Sequence, residues 1–378
     1  AGNGTYRYKL DDSDLTSGAT QTTSTSYTPG SGISEESHIL YVQERDAAGN
    51  WSSSGSRTIV IDNTAPTVSG VAITSATGVQ NNFVNAGDVV SVTATFDENV
   101  YVTGTPQLTL VVGTTDRTAT YTSGSGGTTL VFTYTIQAGE TDSNGISIEA
   151  NVLALNSGTI SDAAGNNATL THSSVADNSN YMVDTTAPTA TWSAATDNVG
   201  TVTGALTSGD TTDDTALVLS GTNESGASVM VYNSTTELGA ATVSGTGWSY
   251  SATVADGTTY QFNVKGTDLA GNTSSATSNF AVTGDTTAPT LEITMTNSDI
   301  KTNDPQPTIW FDFSEAPSLF AIDDISVQNG SRNTFTKVNE TRYSVKFAYT
   351  CGAAFPTNVV TVGQDWNDAA GNAPANNS

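Results

Sequence analysis

Four copies of one short loop constrain the fold of this chain more than any other feature. They read Asp46-Ala-Ala-Gly-Asn50, Asp162-Ala-Ala-Gly-Asn166, Asp268-Leu-Ala-Gly-Asn272 and Asp368-Ala-Ala-Gly-Asn372. A second motif follows the first three copies and reads Asp62-Asn-Thr-Ala-Pro-Thr67, Asp184-Thr-Thr-Ala-Pro-Thr189 and Asp285-Thr-Thr-Ala-Pro-Thr290. A period of about 100 residues is that of whole domains and not of a solenoid. The chain is therefore predicted to be a string of small domains that share one loop and one linker.

The residues between these motifs favour β-strands. Short stretches such as Gln107-Leu-Thr-Leu-Val-Val112 and Thr308-Ile-Trp-Phe-Asp-Phe313 alternate between apolar and polar residues, as half-buried strands do. Clusters of Gly and Ser separate them and indicate turns. No helical periodicity is present. The predicted fold class is all-β, with tandem immunoglobulin-like β-sandwich domains in a linear array.

The motifs divide the chain into four predicted domains. Residues 1–61 carry four predicted strands, Tyr6–Leu10, Ser24–Thr28, His38–Arg45 and Arg57–Ile61. A sandwich of this class has about seven strands, so this domain is expected to be partial and to lack its first strands. Residues 62–184 and 185–285 are expected to be complete. Residues 286–378 are expected to lack the last strand, because little sequence follows Asn372.

Charge excludes several classes of partner. The chain has 37 acidic and 11 basic residues and a formal charge of −26, which repels nucleic acid and anionic membranes. It contains no run of 18 apolar residues, so no membrane insertion is expected. The single cysteine, Cys351, excludes an intramolecular disulfide. Domains of this size often depend on disulfides or metals, and metal sites are the alternative that this sequence leaves.

Acidic residues recur at the predicted domain boundaries. In an immunoglobulin-like sandwich the linker, the B–C loop and the F–G loop lie at the same pole. The linker contributes its Asp, the F–G loop is the Asp-x-x-Gly-Asn loop, and the B–C loop contributes a Glu. The sets expected to converge are Asp62, Glu98 and Asp162; Asp184, Glu224 and Asp268; and Asp285, Glu315 and Asp368.

Three converging carboxylates favour calcium. Without a cation they would repel one another, and calcium accepts six to eight oxygen ligands from carboxylates, amides and backbone carbonyls. Asp46 belongs to the first loop, and the loop asparagines are further candidate oxygen ligands: Asn50, Asn166, Asn272 and Asn372. Zinc is disfavoured because the only histidines are His38 and His172. A single loop would be equally consistent with Asp and Asn capping a turn, but the repetition favours calcium.

Other acids leave alternatives open. Asp88 with Asp142, or Asp213 and Asp214 with Asp256, would extend sites at the opposite pole, as would Asp197. Solvated turn residues explain these equally well.

Three stretches carry a family resemblance. They are Gly104-Thr-Pro-Gln-Leu-Thr-Leu110, Ser220-Gly-Thr-Asn-Glu-Ser-Gly-Ala227 and Ala321-Ile-Asp-Asp-Ile-Ser-Val327. With the loops, they resemble bacterial Ig-like repeats of giant calcium-dependent surface adhesins, the RTX-type biofilm adhesins of Gram-negative bacteria. The resemblance implies a secreted, extracellular rod on the bacterial cell surface that projects a distal binding region for cell adhesion. The Gly-rich nonapeptide of RTX segments and a membrane-retention module are both absent here.

Three functions compete at this stage. The first is a structural spacer whose partners are calcium and the neighbouring domains of a longer chain. The second is a module that binds a glycan or a surface protein, for which exposed aromatic side chains would stack on sugars: Trp51, Trp192, Trp248 and Trp366. Packing in the core or against a linker is the more usual role of Trp in such sandwiches. The third is an enzyme, which is disfavoured because no Gly-x-Ser-x-Gly, His-Glu-x-x-His or Cys–His arrangement is present.

Overall fold

The computed structural model describes residues 2–296, 306–349 and 359–375, and its regular elements are almost entirely β-strands. A single 3₁₀ turn, Ile322–Asp324, is the helical element among these residues. Cys351 lies outside the described residues. The predicted all-β class is confirmed. By compactness the chain divides into two units, residues 1–185 and 186–378, and each is described by itself.

Residues 2–60 form one antiparallel sheet with the order β2-β1-β3-β4. Its strands are β1 (Gly2–Leu10), β2 (Thr20–Thr22), β3 (Ser37–Asp46) and β4 (Gly55–Val60). The strand predicted at Ser24–Thr28 is wrong, because this polar stretch forms no ladder and β2 lies just before it. Tyr6, Tyr8, Leu40 and Val42 share one face of the sheet and line an open groove of about 710 Å³.

The rest of the first unit is built around one long strand. Its strands are β5 (Val68–Ala76), β6 (Phe83–Val84), β7 (Val89–Thr103), β8 (Gln107–Val112), β9 (Thr115–Ser123), β10 (Gly127–Thr135), β11 (Thr141–Asp142), β12 (Leu153–Ala154), β13 (Thr159–Ser161) and β14 (Met182–Asp184). The larger sheet runs β12-β8-β9-β10-β7-β13, and β5 also pairs with β7. The smaller sheet runs β11-β14-β6. In β7 the alternation predicted from sequence is real: Val90, Val92, Ala94 and Phe96 all point into the core.

Residues 190–284 form two five-stranded sheets. The strands are β15 (Ala190–Asp197), β16 (Gly204–Ala205), β17 (Thr211–Thr212), β18 (Ala216–Asn223), β19 (Ser228–Asn233), β20 (Thr236–Ala240), β21 (Thr242–Ser244), β22 (Gly247–Thr253), β23 (Thr259–Thr267) and β24 (Phe280–Gly284). One sheet runs β16-β15-β18-β22-β21 and the other β17-β24-β23-β19-β20. Leu219 and Trp248 of the first sheet share a buried cluster with Val231, Phe262 and Val264 of the second. The two sheets therefore pack face to face as a sandwich.

Residues 291–362 repeat this plan with shorter elements. The strands are β25 (Leu291–Met295), β26 (Thr308–Phe313), β27 (Ile325–Val327), β28 (Gly330–Lys337), β29 (Arg342–Tyr349) and β30 (Val360–Val362). One sheet runs β25-β26-β29-β28 and the other pairs β27 with β30. Aromatic rings fill much of the core. Phe320 packs edge-on against Phe313 and Tyr343, with ring centroids 4.8 and 5.2 Å away.

The core of residues 190–284 should depend on Phe262. This side chain is fully buried, so Phe262→Ala leaves a cavity and should cost about 3–5 kcal/mol of unfolding free energy. Leu238, which is 37% exposed, is the matched control, and Leu238→Ala should cost much less. Urea unfolding of the full chain measures both variants, and similar losses would contradict the assigned core.

Candidate metal centres

The four Asp-x-x-Gly-Asn loops share the same hydrogen bonds from Asn to Asp. In the second loop, Asp162 Oδ1 accepts from the backbone N–H groups of Gly165 and Asn166, at 2.7 and 2.8 Å, and Oδ2 accepts from Asn166 Nδ2 at 2.7 Å. The Asn-to-Asp contacts recur in the other three copies. The glycines need φ values of +95°, +97°, +87° and +106°, in the left-handed region that suits Gly. The sequence therefore folds these loops without help from outside.

The final Thr of the linker motif pairs with the residue just before Glu98 or Glu315. Asp97 accepts from the backbone N–H of Thr67 at 2.8 Å and also from its hydroxyl. The backbone N–H of Asp97 donates in turn to Thr67 O at 3.1 Å. Ser314 makes the corresponding backbone contact with Thr290, at 3.0 Å. Because Glu98 and Glu315 come directly after these residues, the pairing sets each glutamate beside its linker.

The first carboxylate group lies within the first unit. Asp62, Glu98 and Asp162 each place one carboxylate oxygen within 4.8 Å of the other two. Asp162 is 4% exposed, and the other two are half-buried. Glu98 lies inside β7 and not in a loop, which corrects the expected B–C loop position. The strand continues past it because residues 101–103 pair with β13.

The second carboxylate group lies within the second unit and repeats the first. Asp285, Glu315 and Asp368 also place their oxygens within 4.8 Å of one another. Asp368 is 1% exposed. In both groups the loop Asn donates Nδ2 to the backbone carbonyl of the linker Asp: Asn166 to Asp62 at 3.0 Å, and Asn372 to Asp285 at 2.8 Å. The sequence-predicted residues of these two sets are therefore neighbours in space.

The carboxylates in both groups repel one another. Burial and the charges of Asp62, Asp162 and Asp97 raise the pKa of Glu98. Burial and the charges of Asp285, Asp368 and Asp256 raise the pKa of Glu315 to about 7. Burial also raises the pKa of Asp285, with smaller contributions from Asp368 and Asp256. In the described residues no basic side chain contributes to these pKa shifts. The carboxylates of each group therefore repel one another, and a cation would relieve that repulsion.

The donor chemistry of both groups fits calcium. All the convergent atoms are carboxylate oxygens, which are hard ligands that calcium prefers. The loop asparagines use their amide nitrogens to hold the Asp and the linker, so the atom each would offer a cation is its carbonyl oxygen. His38 and His172 lie in neither group. His38 binds Asp11 and Ser34 O, and His172 Nε2 accepts from the Val152 N–H.

Two sets of candidates remain predictions. In the set predicted at the middle linker, Asp184 belongs to the first unit, whereas Glu224 and Asp268 belong to the second. Glu224 lies in the loop after β18, as predicted, and Asp268 in a loop of the repeated type. Asp46 and Asn50 form the first loop, and among the described residues no convergent group of three His, Cys, Asp or Glu side chains includes Asp46.

Two acids bind the linkers from the preceding domain; sequence reasoning missed Glu35 and named Asp256 only as a candidate at the opposite pole. Glu35 accepts from Asn63 N at 3.2 Å and from Thr64 Oγ1 at 2.6 Å. Asp256 accepts from Thr286 N at 2.7 Å and from Thr287 Oγ1 at 3.0 Å. The suggested grouping of Asp256 with Asp213 and Asp214 at the opposite pole stays a prediction. The positions of Glu35 and Asp256 in the sequence could have indicated their role at the linkers, because each acid lies in the loop before the strand that leads to the Asp-x-x-Gly-Asn loop.

Other candidates have structural roles. Asp88 Oδ2 accepts from Asn85 N, and Asp142 accepts from the N–H groups of Gly113 and Gly145, all at 2.8 Å. Trp248 and Trp366 are each 3% exposed within a core, which agrees with core packing and removes them as platforms for sugars. Trp192 stacks on Phe280 with ring centroids 5.0 Å apart. Trp51 is half-buried beneath Arg7, whose guanidinium lies 4.5 Å from the ring centroid.

Comparisons with known families agree with this architecture. Residues 185–286 match one family model described as a bacterial Ig-like domain, and residues 285–378 match a second model with the same description. The second half of the chain therefore consists of two bacterial Ig-like domains in tandem, and the immunoglobulin-like fold is confirmed. Such domains are typically not catalytic and are common on surface or extracellular proteins. None of the curated proteins compared with the chain matches it. In the described residues no helix is long and apolar enough to cross a membrane.

Three solved structures align with the chain only loosely. The fibronectin(III)-like modules of Clostridium thermocellum CbhA are 12% identical, with a TM-score of 0.28, over 57% of this chain and 94% of theirs. The Bacteroides ovatus mixed-linkage glucan utilization locus protein SGBP-B, in complex with a heptasaccharide, is 12% identical with a TM-score of 0.16, over 96% and 83%. A putative membrane anchored protein from Corynebacterium diphtheriae is 8% identical with a TM-score of 0.22, over 99% and 96%. At these scores none of them bears on function.

The raised pKa of Glu315 predicts how stability depends on pH when calcium is chelated. The ordinary pKa is 4.5 and the folded value is about 7, so the folded chain binds more protons than the unfolded chain between these values. Stability in EGTA should therefore rise as pH falls from about 8 to 5.5. Saturating calcium should remove this gain, because the cation competes with the proton.

Glu315→Gln is the matched variant for this test. It removes the titrating group, so its melting temperature in EGTA should change less between pH 8 and 5.5 than that of the wild type. Calorimetry of the full chain measures both. Identical pH slopes for the two proteins would contradict the assigned electrostatics.

Proposed function

We propose that this chain is a calcium-stabilised extender segment of an extracellular bacterial surface adhesin. Its role is to hold a distal binding region away from the cell, in support of cell adhesion or biofilm formation. The observation that carries the proposal is the repetition of one carboxylate group. Asp62, Glu98 and Asp162 at one linker correspond to Asp285, Glu315 and Asp368 at another. A group built twice at domain boundaries fits a joint better than a catalytic centre.

The linker is held from both sides in this proposal. On the preceding side, Glu35 or Asp256 accepts hydrogen bonds from the linker backbone and threonine hydroxyl. On the following side, the linker Asp meets the Glu and the loop Asp of the next domain. A bound calcium ion would supply the positive charge that lets these three carboxylates remain ionised together. The hydrogen bonds and the cation would then fix the angle between successive domains.

The chain is proposed to be structural and not catalytic. Its paired carboxylates recur at linkers, whereas a catalytic pair would belong to one cleft. The alternative is a glycan-binding or protein-binding module of the same adhesin. Burial of Trp248 and Trp366 removes two of the aromatic platforms on which that alternative depended. The structural role is therefore the better supported.

Calcium should raise stability and restrict domain motion together. Extracellular calcium modules bind with dissociation constants of about 10⁻⁴–10⁻³ M. At about 100 times the dissociation constant, one site adds about 2.7 kcal/mol of unfolding free energy. Calorimetry should show a higher melting temperature in calcium than in EGTA. Small-angle scattering should show a longer maximum dimension in calcium, and magnesium should replace it poorly because it demands octahedral geometry and dehydrates reluctantly.

Single-charge variants make this test specific. Glu98→Gln and Glu315→Gln each remove one carboxylate from a group and should each reduce the calcium-induced rise in melting temperature. Asp116→Asn and Glu237→Gln remove the same charge from exposed positions outside the groups and should leave the rise unchanged. If chelation changes neither the melting temperature nor the maximum dimension of the wild type, the chain is not a calcium-dependent extender.

A further inference from the structure

One buried histidine joins the two ends of the long segment, residues 11–36, that runs from β1 to β3. His38 is the second residue of β3 and is 5% exposed. Its Nδ1 lies 2.6 Å from Asp11 Oδ2, and its Nε2 lies 2.9 Å from the backbone carbonyl oxygen of Ser34. Asp11 follows β1 directly, and Ser34 lies shortly before β3. A single side chain therefore fixes the start and the end of this segment to the same strand.

The two contacts of His38 require the protonated ring. A carboxylate oxygen and a carbonyl oxygen only accept hydrogen bonds, so each ring nitrogen must donate an N–H to its partner. The imidazolium carries an N–H on both nitrogens, whereas the neutral ring carries only one. Hydrogen bonds to Asp11 and to the Ser34 carbonyl accordingly raise the pKa of His38 above its ordinary value of 6.5, although burial opposes them.

The charged groups around His38 favour its protonation. Asp11, which follows β1, and Glu36, which precedes β3, are both acidic, and both raise the pKa of His38. On the other side, β4 places the apolar Ile59 opposite His38. Arg57 on the same strand is exposed and lies opposite Leu40, one pair further along the same face. The ring is therefore next to carboxylates and an apolar side chain.

Asp11 is held in place for this contact by β3. Its Oδ1 accepts from Ile39 N at 2.8 Å, and its own backbone N–H donates to Ile39 O at 2.8 Å. The φ of Asp11 is +58°, in the left-handed region that residues other than glycine seldom adopt. The hydrogen bond with His38 is also the largest reason why the pKa of Asp11 is lowered. The carboxylate is thus fixed beside the ring by three separate hydrogen bonds.

The segment that His38 fixes also holds the first linker. Glu35, which follows Ser34, accepts from Asn63 N at 3.2 Å and from Thr64 Oγ1 at 2.6 Å. The Ser34 carbonyl is bound to His38 on one side, and the next side chain is bound to the linker on the other. A change in the charge of His38 therefore reaches the linker through two adjacent residues.

We propose that protonated His38, with Asp11 and Ser34, forms a pH-sensitive clasp that positions Glu35 against the linker of residues 62–67. When the ring loses a proton, the remaining N–H stays on Asp11, because a charged acceptor forms the stronger hydrogen bond. Nε2 then turns a lone pair toward the Ser34 carbonyl, and that contact is lost. The hold of Glu35 on the linker loosens as a result.

The two partners of the clasp set the range of pH in which it is closed. The pKa of His38 is raised, so its contribution to stability is complete below 6.5 and is lost as pH rises through the folded value. The pKa of Asp11 is lowered, so its contribution is complete above 3.8 and is lost as pH falls through the folded value. The clasp is therefore closed in a mildly acidic medium and opens as pH rises.

The linker that begins at Asp285 offers a comparison within the same chain. Asp256 holds it by accepting from Thr286 N at 2.7 Å, and residues 185–285 contain no histidine. Tyr260 takes the place of His38, since each lies eight residues before the Asp of its Asp-x-x-Gly-Asn loop. The hold on this second linker is therefore expected to stay constant in the range of pH in which His38 titrates.

Amide hydrogen exchange of the full chain in EGTA tests the clasp. Chelation makes the test independent of the proposed calcium role. The protection factor of the Asn63 amide should fall as pH rises through the titration of His38, which NMR of the ring follows. The protection factor of the Thr286 amide should stay unchanged over the same range. His38→Gln, which cannot gain or lose a proton, should abolish the pH dependence at Asn63.

Two carboxylate variants separate the clasp from other titrating groups. Asp11→Asn removes the charge and keeps a residue type that tolerates a positive φ. It should lower the pKa of His38 toward 6.5 and lower by the same amount the pH at which Asn63 loses protection. Asp14→Asn removes the same charge from the same segment, where the carboxylate accepts from Thr16, and should shift neither midpoint.

Two results would overturn the clasp. One is a protection factor of Asn63 that stays constant in the wild type while His38 titrates, which decides the question even if a variant does not fold. The other is a loss of protection that occurs at the same pH in Asp11→Asn as in the wild type, because another group such as Glu98 would then cause it. Neither result bears on calcium binding, and a chain that binds no calcium would leave the clasp standing.

Discussion

Repulsion between carboxylates at the domain linkers is the constraint around which this chain is arranged. The formal charge is −26, and many of the acidic side chains lie on open surface, where solvent screens their charges. At Glu98 and Glu315 burial combines with neighbouring charges, and the pKa of each group rises. The fold tolerates this because the buried apolar clusters lie inside the sandwiches and not at the linkers. The residues that form the apolar cores are thus different from those of the proposed cation groups.

Hydrogen bonds within the chain hold the Asp-x-x-Gly-Asn loops in shape. Backbone N–H groups fix each loop Asp, and the loop Asn holds both that Asp and, at two linkers, the linker carbonyl. A cation that meets such a loop does not have to order it, so little binding free energy is lost to conformational entropy. The same contacts explain the loop sequence. Gly supplies the left-handed φ, Asn supplies the amide donor, and Asp supplies the acceptor.

The sequence predicted the repeated architecture because its signals are local. Alternation in β7, β8 and β26 and turn residues between the strands fixed the fold class, and the loop spacing placed the linkers. The carboxylate sets followed from sandwich topology. Glu98 was misplaced into a loop because nothing in its sequence shows that β7 continues to pair with β13. Glu35 was missed for the same kind of reason, since only tertiary packing turns it toward the linker.

Each position of the linker motif has a physical role in this packing. The Asp offers a carboxylate to the cation group and accepts from its own chain two residues later, at 3.1 Å in the first copy and 3.2 Å in the third. The next Thr reaches back to Glu35 or Asp256. The Pro carbonyl accepts from Thr169 or Ala375, so the Pro needs no N–H to be anchored in the following domain. The final Thr pairs with the strand that delivers Glu98 or Glu315. At these two linkers the six-residue motif therefore contacts the domain on either side and contributes one carboxylate to the proposed cation group.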